Sequence, residues 1–158
     1  MLTPFEILRR LIAFDTVSAR SNKDMIEFIA EYFGEHGISC NIDPNDDGTK
    51  ADMIATIGPM VEGGIVLSGH TDVVPVSKGW SSDPFKAVIK DDKLYGRGSC
   101  DMKGFIACTL ALAPYFASQN LKKPIHFSFT YDEETACQGA PIMIKELKKR
   151  NINCSICI

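Results

Sequence analysis

A chain of 158 residues with 45% hydrophobic and 23% charged residues has the size and balance of one globular domain, with nothing of low complexity in it. A net charge of -3 and a longest basic run of Lys148-Lys149-Arg150 supply no field for nucleic acid. No apolar run approaches the ~18 residues of a membrane span, and Glu6, Arg9 and Arg10 interrupt the N-terminal stretch where a secretory signal needs an apolar core. The expected partner is a small molecule and the expected location the cytoplasm.

Ile7, Leu8, Leu11 and Ile12 recur at helical spacing and predict a first helix over 4–14, with Thr3 as N-cap and Pro4 in the first turn. Met25, Ile26, Ile29 and Phe33 predict a second over 23–36, capped by Ser21 or Asn22 and ended by Gly37. Strands are expected at 38–42, 53–57 and 65–68, separated by the turn-rich 43–50 and by Gly58-Pro59 and Gly63-Gly64. Residues 85–89 and 93–95 flank Asp91-Asp92 as a hairpin. An apolar helix follows over 103–117, with Pro114 as a kink or early end. A buried strand at 125–131, an amphipathic helix at 141–150 with a basic end, and a last strand from Asn153 complete the chain. This order predicts an α/β fold, a three-layer α/β/α sandwich with a mixed, mostly parallel sheet and no internal domain boundary.

Six cysteines without framework spacing fit reduced thiols, and Cys154-x-x-Cys157 alone reads as two half-buried strand cysteines. More telling are three polar loops that each follow an apolar run: Gly69-His70-Thr71-Asp72, Gly96-Arg97-Gly98-Ser99-Cys100-Asp101 and Asp132-Glu133-Glu134. Parallel strands at 65–68 and 125–131 would release the first and third at one sheet edge, where open α/β sheets bind ligands. Clustered carboxylates repel unless a cation shares the site, and a histidine among them points to a transition metal. Asp72, two residues from His70, is placed to orient the imidazole. Each loop has a plainer alternative: a turn histidine at His70, a helix N-cap at Asp101, a solvated acidic run at 132–134. His126 and His36 lie away from these loops and read as structural.

Gly69-His70-Thr71-Asp72-Val73-Val74-Pro75-Val76, Leu94-Tyr95-Gly96-Arg97-Gly98-Ser99-Cys100-Asp101-Met102-Lys103-Gly104-Phe105 and Thr130-Tyr131-Asp132-Glu133-Glu134 with Gly139-Ala140 resemble the zinc aminoacylase and carboxypeptidase family. The resemblance runs the length of the chain in the family's order. It implies two zinc ions, or cobalt in their place, with His70 on one, Glu134 on the other and Asp101 bridging. It further implies Glu133 as general base, Asp72 behind His70, a cis peptide at Asp101-Met102, and an N-acyl amino acid as substrate. Ala13-Phe14-Asp15-Thr16-Val17-Ser18 and Cys137-Gln138-Gly139-Ala140 favour the branch that removes acetyl over the one that removes succinyl groups; Ala136 replaces the usual glycine. By the same resemblance, the remaining metal ligands, the substrate-binding groups and the lid domain that makes the family's homodimer are expected beyond Ile158. The sequence is thus expected to be the N-terminal portion of a catalytic domain, incomplete as a site and with a sheet edge exposed.

Overall fold

The first helix, α1 (Pro4–Ala13), begins as its residues dictate: Thr3 Oγ1 accepts the Glu6 amide at 3.3 Å while the Glu6 carboxylate accepts the Thr3 amide at 2.7 Å. This computed structural model describes Met1–Ile158. Helix α2 (Lys23–Glu35) starts at Asn22, whose side chain does not cap it. Asn22 instead bonds both polar groups of Ala51 and the Thr71 hydroxyl, at 2.8 to 2.9 Å, stapling the helix start to the sheet.

Strands β1 (Cys40–Pro44), β2 (Ala51–Ile57), β3 (Ile65–His70), β6 (Ile125–Thr130) and β7 (Ile156–Cys157) form one sheet in the order β1-β2-β6-β3-β7. Pairings of β1 with β2 and β2 with β6 are antiparallel; those of β3 with β6 and β7 are parallel, so the sheet is evenly mixed. A separate hairpin, β4 (Val88–Lys90) and β5 (Lys93–Tyr95), turns on Asp91 and Asp92, both at positive φ.

Alternate residues of the central strands decide the layers. Ala51, Met53, Ala55, Ile57, Phe127 and Phe129 face α1, α2 and α3 (Lys103–Ala117) and share one buried core with Leu11, Ile29, Phe33 and Leu110. The opposite parity, Asp52, Ile54, His126, Ser128 and Thr130, is buried and mostly polar, with α4 (Gly139–Lys149) packed on β6. Helices therefore cover both faces.

The even mix replaces the mostly parallel sheet expected, because β1 and β2 both join antiparallel, and three further expectations change. Pro114 does not end α3, which runs to Ala117 because its buried stripe continues through Ala113 and the Ser118 amide closes back onto the Pro114 and Tyr115 carbonyls. The last strand is only two residues long, since Asn153 and Ser155 spend their backbone groups on the Gly63-Gly64 turn. In consequence Cys154 lies half-buried outside the strand and Cys157 is exposed, so the pair is not two half-buried strand cysteines.

Candidate metal centre

The parallel register of β3 on β6 sets Ile65 beside Ile125 and His70 beside Thr130, so the loops after both strands leave the sheet at the same edge. His70 is 7% exposed, which removes the plain turn-histidine alternative. Its Nδ1 lies 3.0 Å from the Asp72 carbonyl, which can only accept, so Nδ1 carries the proton. The other nitrogen, Nε2, is the electron pair donor of the neutral ring and faces acids: Asp101 Oδ1 at 3.0 Å and Glu133 Oε2 at 3.8 Å. Burial pulls the imidazole pKa down, but the Asp72 and Asp101 carboxylates outweigh it and lift it to about 9. Carboxylates gathered on Nε2 mark a position suited to a cation.

Asp72, 2% exposed, does more than orient the ring. Its Oδ1 accepts the Glu133 amide at 3.0 Å; its Oδ2 accepts the Glu134 amide at 3.2 Å and the Ser18 hydroxyl at 2.6 Å. Burial opposes its charge, yet the His70, Ser18 and Glu133 donors hold its carboxyl below the ordinary range. One carboxylate thus ties the loop after β3 to the loop after β6. Asp132, at positive φ, closes the second loop by pairing with Lys50 Nζ at 2.5 Å.

Asp101 is not a cap. The N-cap of α3 is Met102, without a side-chain bond, and the Asp101 side chain is 73% exposed with its oxygen on His70. The Asp101-Met102 peptide is cis. Gly98 lets this loop close on the core: at φ +78 a Cβ there would stand 2.6 Å from Val73 Cγ1. Behind it, the fully buried Lys103 donates to the carbonyls of Leu11 and Phe14 at 2.9 and 2.7 Å, anchoring the start of α3 to the end of α1.

Ligand atoms of His70, Glu133 and Glu134 all lie within 4.8 Å of one another, with Asp101 on the same imidazole nitrogen. Glu134 is pushed up, first by burial and then by the Asp101 charge. One imidazole and several carboxylates form a donor set suited to zinc and its neighbours. The residues fit a metal. The sequence reading brings His70, Asp72, Asp101, Glu133 and Glu134 to one place, while Ser18, Lys50 and Lys103 escape it because their partners are far along the chain. The other histidines are elsewhere: His126 bonds Thr56 at 2.8 Å, and His36 packs edge-on against Tyr32.

A family model described as Peptidase family M20/M25/M40 matches residues 66–158. The acetylornithine deacetylase of Shigella sonnei (strain Ss046) is 43% identical over 149 residues, covering 88% of this chain and 38% of that protein. An M20 family metallo-carboxypeptidase from Sulfolobus solfataricus aligns with a TM-score of 0.84 at 20% identity, over 99% of this chain and 37% of that one. Human carnosine dipeptidase 1 aligns with a TM-score of 0.77 at 23% identity, over 93% and 35% of the two chains. At such identities the two structures speak for the fold alone. This chain spans under two fifths of the length of each of these relatives.

Proposed function

We propose, for a chain that belongs to peptidase family M20/M25/M40, the role of N-terminal portion of the catalytic domain in a zinc-dependent amide hydrolase that converts N-acetyl-L-ornithine and water to L-ornithine and acetate. The observation that carries this reading is the meeting of His70, Asp101, Glu133 and Glu134 at the ends of adjacent parallel strands. The substrate leans on the name of the Shigella sonnei relative and on residues 13–18 and 137–140. It assigns the protein to arginine biosynthesis in the cytoplasm.

Two zinc ions would be held by His70 through Nε2 and by the carboxylates of Asp101 and Glu134, with Asp101 shared. Bound zinc lowers the pKa of water towards neutrality and polarises the amide carbonyl. Glu133 reaches the same nitrogen of His70 from a partly exposed position and is the proton carrier, taking a proton from the attacking water and handing it to the departing amine. Asp72 fixes the ring of His70 and the backbone of Glu133 and Glu134, so ligand and base are presented from one loop. With Asp101 shared, these residues give each ion two protein ligands where a catalytic zinc usually has three. The reading therefore assigns turnover to the whole protein and weak metal binding to residues 1–158 by themselves.

Zinc titration and an N-acetyl-L-ornithine hydrolysis assay, with Glu133→Ala beside wild type, test it. Zinc affinity should hold in Glu133→Ala while hydrolysis by the whole protein falls at least ~100-fold. Hydrolysis that survives the substitution overturns the assignment of Glu133.

A further inference from the structure

The segment between α1 and α2 is laced to the loop after β3. Val17 and Val73 form an isolated parallel bridge, the Ser18 amide donates to the Val73 carbonyl at 3.2 Å and the Val73 amide to the Thr16 carbonyl at 3.0 Å. Between these bonds the Ser18 hydroxyl, on a residue 6% exposed, donates to Asp72 Oδ2 at 2.6 Å. The Ser18 carbonyl in turn accepts from Lys50 Nζ at 2.5 Å, and the same ammonium holds the carboxylate of Asp132, the residue before Glu133.

We infer that Ser18 is a positioning residue of this site, acting through Asp72: its hydroxyl selects the carboxylate orientation in which one oxygen receives the Glu133 amide and the other the Glu134 amide. This rests on the roles proposed above for Glu133 and Glu134. The terminal torsion of an aspartate is broad, so a buried carboxylate takes its orientation from the donors around it. A hydroxyl bond to an ionised oxygen is among the stronger ones, and here its donor stands on a residue whose own amide and carbonyl are both bonded. Thr16 supplies the contrast, because its hydroxyl bonds only the Thr71 carbonyl, at 2.6 Å. Both hydroxyls are buried and bond the segment after β3; only one reaches the carboxylate.

The test compares wild type with Ser18→Ala, Ser18→Cys, Thr16→Val, Asp72→Asn and the Ser18→Ala/Asp72→Asn double variant. It reads amide hydrogen exchange at Glu133 and Glu134 together with zinc affinity by chelator competition. Ser18→Ala should speed exchange at both amides and weaken zinc about tenfold, the usual cost of losing a group behind a ligand. Thr16→Val should do neither, and Ser18→Ala should add nothing once Asp72 is Asn. Unchanged exchange and affinity in Ser18→Ala, or a full further loss in the Asp72→Asn background, overturns the inference. Should Ser18→Ala fail to fold, Ser18→Cys carries the same comparison with a thiol that donates only weakly. Failure of wild type to bind zinc sinks the functional reading instead, and exchange at the two amides still decides for or against Ser18.

Discussion

His70 and Asp72 are 7% and 2% exposed and bonded on nearly every side, whereas across from them the side chains of Asp101 and Glu133 are 73% and 47% exposed. The held side fixes one nitrogen donor and, through Asp72, the backbone of the acidic loop. The open side leaves carboxylate oxygens free to adjust. A metal site uses both, a fixed imidazole setting the position of the ion and accessible oxygens completing its shell.

The comparison breaks first, and furthest, at Asp72. Asp72→Ala strips the acceptor from the Ser18 hydroxyl and the Glu133 and Glu134 amides and should cost about 3 kcal/mol in denaturant unfolding. A loss below about 1 kcal/mol would show that water serves these donors as well and that the held side is not held.

Asp52 tests the footing of the acidic loop. Its Oδ1 accepts the Tyr131 amide at 3.1 Å, and Gly139 packs so closely that a Cβ would lie 2.7 Å from that oxygen. Burial raises its pKa to about 7, the Tyr131 amide opposing and Asp43 adding. An acid whose folded pKa exceeds its unfolded value of about 3.9 contributes stability at low pH that fades as pH rises through 7. Asp52→Asn should remove that fading, leaving the chain on the order of 2 kcal/mol more stable than wild type at pH 8 and flattening the profile between about pH 4 and 8. A wild-type profile already flat over that range would remove Asp52 from the account.

The smallest effect on folding belongs to the open side. Asp101→Asn and Glu133→Gln should each move unfolding by less than about 0.5 kcal/mol, as exposed substitutions do. Zinc affinity should fall in Asp101→Asn and stay level in Glu133→Gln. A stability loss in Asp101→Asn as large as that of Asp72→Ala would erase the distinction between the two sides.

Periodicity made α1, α3 and the parallel pair β3 and β6 legible, and with that pair the shared edge of His70 and Glu133. Local pattern failed where a distant partner decides. Asn22 looks like a cap and is a staple to Ala51 and Thr71; Asp101 can be taken for a cap and faces His70. The last strand looks long because Ile152, Ile156 and Ile158 are apolar, but pairing stops where the chain bonds the Gly63-Gly64 turn. The grip of Asp72 on two amides beyond β6 has no trace in its neighbourhood along the chain. It exists only once the sheet has formed.

The β3 to β6 register has one more bearing, on how this chain can vary. Residues 71–124, with the hairpin and α3, form a crossover that leaves β3 at the edge of the site and enters β6 at the opposite edge, both strands being fixed by their pairing. Segments of that crossover can lengthen or shorten at the exposed hairpin without changing the spacing of His70 from Glu133, because that spacing is set by strand pairing and not by the length of chain between them. The hairpin is free to diverge while the chemistry of the site stays in place.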